Sequence, residues 1–142
     1  MKNLALLVAF VAFSLFVVWP ADISAQAGDG AVGVKDGGVF VKGWTGQIDA
    51  KEKTAGSTLN SAKFAKEGKG FHVTTGPAVT YWNPDNKAKG DYTVSATFLE
   101  PKYMSINDHP HPYGIMIGGN DLGTDKQSYL YCAAYGNGTF IF

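Results

Sequence analysis

Tyr113 to Phe142 reads YGIMIGGNDLGTDKQSYLYCAAYGNGTFIF, and its punctuation decides the fold class. A near-continuous apolar run, Tyr113–Ile117, is closed by Gly118-Gly119-Asn120-Asp121. A second, Tyr129–Tyr135, is closed by Gly136-Asn137-Gly138, and a third begins at Thr139. Short β-favouring runs bounded by Gly, Asn and Asp read as strands. Asn-Gly is a favoured two-residue hairpin turn, because a type I′ turn needs positive φ at both positions. Tyr129–Tyr135 and Thr139–Phe142 are therefore predicted to pair antiparallel. Phe140-Ile141-Phe142 breaks off in mid-strand with no polar residue after it. The reading expects further strands beyond, and so an incomplete domain.

Working outward, the same period continues. Asp91 to Glu100 is the clearest strand by pattern: Tyr92, Val94, Ala96 and Phe98 share one face, Thr93, Ser95 and Thr97 the other, and Pro101 ends it. Phe71–Thr75 stops at Gly76-Pro77, and Ala78–Trp82 stops at Asn83-Pro84-Asp85-Asn86. Asp49 to Lys69 is the most polar region. It fits a helix over Ser57–Lys66, with Leu59, Ala62 and Ala65 on one face, or a loop with a short strand. Gly43-Trp44-Thr45-Gly46 is a tight aromatic turn, and residues 28–38 form a Gly-rich, flexible start. Many short strands at regular spacing point to an all-β sandwich or barrel over residues 39–142.

Residues 1–27 are set apart from the fold. Lys2 precedes sixteen residues, Leu4–Trp19, that are apolar apart from Ser14; Pro20 follows, then Ala25-Gln26-Ala27. This is the three-part pattern of a cleavable secretory signal peptide. The apolar run is shorter than the ~20 residues of a spanning helix. No second such run follows, so a mature chain without a membrane span is expected, outside the cytoplasm: extracellular or periplasmic.

The 12 basic residues, all lysine, balance 12 acidic ones. A zero net charge lacks the basic footprint that displaces counterions from nucleic acid. A single cysteine excludes an intramolecular disulfide framework and Cys-rich zinc sites.

The Tyr113–Phe142 stretch resembles the middle of concanavalin A-like lectin/glucanase domains: strand, Gly-Gly-x-Asp loop, aromatic strand, Asn-Gly turn, strand. The Asp91–Phe98 segment is similar to the strand before it there. Gly43-Trp44 followed by Phe71-His72-Val73 is similar to the opening of the secreted 3-keto-disaccharide hydrolase-like, laminin G-like, branch. The resemblance implies a jelly-roll β-sandwich with a concave face that often holds sugars.

Candidate site residues follow from chemistry. Tyr129, Tyr131 and Tyr135 alternate on one strand face, and their flat rings and hydroxyls suit stacking on sugars. Their spacing predicts ~6.6–6.8 Å from ring to ring. Trp82, with Tyr81 and Trp44, carries the same two readings, sugar platform or core. Asn120 and Asp121, in the Gly118–Asp125 loop, offer oxygen ligands to a sugar or to calcium, or simply form a turn. Asp108-His109-Pro110-His111 places two imidazoles on one side of an extended segment, where they could share a metal with Asp108 as an orienting group; His72 or Asp121 could be a third ligand, and a rigid surface loop is the other reading. Cys132, on the opposite face from the tyrosines, reads as a buried small hydrophobe.

Glycoside hydrolysis needs two carboxylates about 5–9.5 Å apart. Glu52, Glu67 and Glu100 stand apart from one another, and Asp108, Asp121 and Asp125 fall in loops. The expected function is a secreted carbohydrate-binding or surface-associated module without its own catalysis or a required cofactor. The alternatives are a glycoside hydrolase with unrecognised catalytic strands, and a metal-binding extracellular protein.

Overall fold

The computed structural model describes residues 34–142 apart from 75, 102–104, 107 and 108, and only the backbone of 105, 106, 109 and 110. The signal-peptide segment, most of the flexible start and Asp108 lie outside the described residues.

The chain is all-β. In order it runs β1 (Gly38–Val39), β2 (Thr45–Ile48), a one-turn helix α1 (Ala50–Thr54), a 3-10 turn (Leu59–Ser61), β3 (Lys63–Glu67), β4 (Gly70–Thr74), β5 (Val79–Trp82), β6 (Ser105–Ile106), β7 (His109–Pro110), β8 (Tyr113–Asn120), β9 (Ser128–Ala134) and β10 (Phe140–Ile141). Among the described residues the strands form two three-stranded sheets, β1-β3-β4 and β10-β9-β8, and two pairs, β2-β5 and β6-β7. All neighbours are antiparallel except β1 and β3.

The polar region splits into three short elements rather than one helix over Ser57–Lys66. Asp49 caps α1 by accepting from the Lys51 N–H at 3.0 Å, and the helix gives out before Gly56 at φ 90°. Thr58 and Ser61 form a reciprocal capping box around the 3-10 turn. Lys63 then enters β3, which turns through Gly68-Lys69 into β4. Gly68, at φ 55°, stands at the first position of a two-residue turn, where a primed hairpin turn asks for glycine.

One core forms around β3. Phe64 is buried, stacks on Tyr81 with centroids 4.6 Å apart, and meets Trp44 edge-on at 5.2 Å. Phe71 touches both Trp44 and Phe64. Ile48 and Ala62 are buried beside this cluster's strands. Trp44 and Tyr81 are half-buried, packed against this core. Burial holds the Tyr81 hydroxyl proton, pushing its pKa up to about 12.

The 113–142 sheet forms as its turn signals indicate, with one change at the hairpin. The β9–β10 register pairs Ala134 with Phe140, and the loop is Gly136-Asn137-Gly138. Gly138 has φ 87° while Asn137 is not in the left-handed region. Tyr135 accepts from the Gly138 N–H at 2.9 Å and donates to Thr139 at 2.8 Å. This is a three-residue loop ending on a left-handed glycine, not a two-residue turn. Asn137 Oδ1 accepts from both the N–H and the hydroxyl of Thr139. Gly114 lets β8 approach β9: a Cβ there would strike the Cys132 carbonyl.

Two expectations are corrected. Asp91–Glu100 is not a strand; no described strand pairs with it, and Tyr92, Val94 and Phe98 stand about half exposed. Alternation specifies an extended chain with one apolar edge, but a strand also needs a neighbour's ladder. Cys132 is exposed, not buried. It does lie opposite the tyrosines, but among the described residues no layer covers that second face of the sheet.

Candidate functional site

β9 brings Tyr129 and Tyr131 to a cleft of about 490 Å3. One wall is the end of β2 and the start of α1, with Gln47, Asp49 and Lys53; the other is the loop before β9, with Thr124, Asp125 and Gln127. Both walls are shaped locally. The N-cap at Asp49 turns the chain from strand to helix at the rim. Across the cleft, Asp121 takes φ 49°, and its carbonyl accepts from the N–H of Thr124 at 3.1 Å and its hydroxyl at 2.8 Å. The Thr124 hydroxyl in turn accepts from the Lys126 N–H, and Gln127 Oε1 from the Gly123 N–H.

One hydrogen bond joins the walls, and a second ties β9 to β5. Gln47 Nε2 donates to the Thr124 carbonyl at 3.3 Å. The Tyr129 and Thr80 hydroxyls lie 2.8 Å apart, which fixes the Tyr129 ring. The ring centroids of Tyr129 and Tyr131 are 6.2 Å apart, near the spacing expected along a strand, but their planes cross at 65°. They make a corner and not a flat platform. Tyr129 is half-buried, and Tyr131 is 41% exposed. The chemistry available is one aromatic face, a fixed hydroxyl, two carboxylates, an ammonium and two amides.

The other candidates are placed apart from this cleft. Tyr135 is half-buried at the hairpin. Trp82 is half-buried against the loop: a Cβ on Gly123 would sit 3.4 Å from its ring. Asn120 donates to the Gly118 carbonyl at 3.0 Å within the β8 bulge, and Asp121 forms the turn. His109 lies in β7 and His111 just after it, half-buried. His72 pairs with Glu67 at 3.1 Å on the exposed side of the β3–β4 hairpin. Among the described residues no three His, Cys, Asp or Glu side chains gather to hold a metal ion.

Sequence reasoning missed Gln47, Asp49, Lys53 and Gln127. Asp49 carried a signal, as the cap of a short helix beside an apolar strand. The juxtaposition of residues about 77 positions apart carried none.

Among the described residues no helix is long and apolar enough to cross a membrane. No family model matches the chain, and no curated protein or solved structure does either.

Proposed function

We propose that the chain is a secreted carbohydrate-binding module of the concanavalin A-like, jelly-roll kind, and that its ligand sits in the Tyr129–Tyr131 cleft. One observation carries this reading: a cleft of about 490 Å3 that combines an exposed tyrosine ring with a rim of short polar side chains. Sugars ask for that mixture, an apolar face to stack on and several donors and acceptors for hydroxyls. The crossed planes restrict the site to one stacked ring, on Tyr131, with Tyr129 closing the corner. Burying one sugar face removes apolar area worth roughly 25 cal/mol per Å2. Ordering a flexible ligand offsets much of that, so affinities in the micromolar to millimolar range follow. Binding to a glycan array, followed by titration of the best ligand, tests the proposal. Tyr131→Ala should weaken binding about tenfold, near 1.4 kcal/mol, without a change in melting temperature. A blank array, or a ligand indifferent to Tyr131→Ala, would sink it.

The hydrolase reading retains one specific observation: Asp49 and Asp125 line opposite walls of this cleft. Asp49 is already engaged as a helix cap, which favours binding over catalysis. Turnover of the bound oligosaccharide that disappears in Asp125→Asn would reverse that preference.

A further inference from the structure

We infer that Asn137 is a self-modification site: its side-chain amide is lost by ring closure onto the Gly138 nitrogen, at a rate set by opening of the β9–β10 hairpin. Asparagine is a thermolabile residue. Its lifetime depends on whether the next backbone nitrogen can reach its Cγ. Of the seven asparagines in the chain, only Asn137 precedes a glycine. Glycine puts no side chain beside that nitrogen, and a Cβ built on Gly138 would meet no atom within 4 Å. Asn137, Gly138 and Thr139 are all exposed, so water reaches both reacting groups. Asn60, Asn86 and Asn120 are exposed too, but Ser61, Lys87 and Asp121 follow them and crowd the approach.

The closed loop holds both partners of the reaction in other bonds. The Gly138 N–H donates to the Tyr135 carbonyl at 2.9 Å, toward the β9 end. Asn137 Oδ1 accepts from the Thr139 N–H at 3.0 Å and its hydroxyl at 2.7 Å, toward the β10 end. Attack therefore waits for the loop to open. The Gly138 nitrogen then gives its proton to solvent and attacks Asn137 Cγ. An N–Cγ bond forms, the Cγ–Nδ2 bond breaks, and Nδ2 takes up a proton and leaves as ammonia, giving a five-membered succinimide. Water next adds to one of the two ring carbonyls. Addition at Cγ restores the backbone with an aspartyl side chain. Addition at the main-chain carbonyl leaves an isoaspartyl link, whose backbone runs through Cβ and Cγ and is one atom longer. Nothing is oxidised or reduced, water is the only co-reactant and ammonia the only leaving group. Either product sets a negative charge at the hairpin, and the isoaspartyl form also lengthens the loop that joins β9 to β10.

The purified chain, kept for days at mildly alkaline pH with and without urea and then mapped by mass spectrometry, tests this. In peptide 127–142 Asn137 is the only asparagine, so amide-to-acid conversion there reports one site. The native chain should convert at Asn137, partly to the isoaspartyl form, while Asn60, Asn86 and Asn120 keep their amides. Urea should speed the conversion at least about tenfold, because opening the loop gives up hydrogen bonds worth about 0.5–1.5 kcal/mol each. Gly138→Ala strains a position at φ 87° and could open the loop, so it is compared in urea, where folding no longer matters; there it should slow conversion severalfold. A native chain that keeps the Asn137 amide throughout would overturn the inference. So would a native rate equal to that in urea, or a Gly138→Ala chain that converts in urea as fast as the parent.

Discussion

Phe64 and Leu130 both sit on the middle strand of a three-stranded sheet, yet one is 4% exposed and the other 59%. The difference is not in the strands but in what the connections bring back over them. Around β3, the turn carrying Trp44 and the strand carrying Tyr81 both close on Phe64. Over the outer face of β9 nothing described returns. Alternation states which side of a strand is apolar; it does not state whether a second layer exists.

The largest expected effect tests that contrast directly. Phe64→Ala should cost about 3–5 kcal/mol of folding stability, because it empties the centre of an aromatic cluster. Leu130→Ala should cost the monomer less than about 1 kcal/mol, since most of that side chain is already in water. Urea denaturation of both variants under dilute conditions compares them. Equal costs would mean that the outer face is covered within a single chain, and the comparison would collapse.

A pH titration sharpens it next. Tyr81 is held up to about 12 by burial alone. Tyr113, at the start of the open sheet, is raised by burial first, and then by the Glu100 carboxylate that accepts its hydroxyl at 3.3 Å. Ultraviolet absorbance should therefore show late-ionising phenols, and Glu100→Gln should lower only the Tyr113 component. Tyr81 has its folded value above the unfolded value of 10.0, so its contribution to stability is complete below pH 10 and is lost as pH rises through about 12. A chain equally stable at pH 9 and pH 12 would contradict the packing of Tyr81.

The smallest effect lies in the hairpin. Asn137→Ala removes the oxygen that accepts twice from Thr139, an exposed pair worth about 0.5–1.5 kcal/mol. Thermal melts should resolve it as a modest loss, with the β9–β10 pairing retained.

How much of this was readable beforehand depends on the range of the interaction. The turns at Asn83-Pro84 and Gly136–Gly138 and the bulge at Gly118-Gly119 act locally, and β5, β8, β9 and β10 stand within a few residues of their expected places. Asp91–Glu100 shows the limit: its alternation is better than that of β3, and no described strand pairs with it. The cleft is intermediate. Tyr129 and Tyr131 were legible from their period on one strand, whereas Asp49, Lys53 and Gln127 join them only through tertiary folding. The crossing angle of the two rings was not legible either. It depends on the Thr80 hydroxyl holding one ring from another strand.

The hairpin loop also acts as a parity setting for the end of the chain. With three residues between Tyr135 and Thr139, the paired positions on β9 and β10 are both even or both odd, as in Ala134 with Phe140 and Ala133 with Ile141. A loop of two residues, Asn137 and Gly138 alone, would pair even with odd. Phe140 and Phe142 would then change sides, joining the tyrosines and leaving Ile141 beside Cys132. One glycine's worth of backbone thus decides whether two large aromatic rings crowd the polar cleft or widen the apolar surface behind it. A one-residue slip of register there would move the two rings to the other face without altering the residues of either strand.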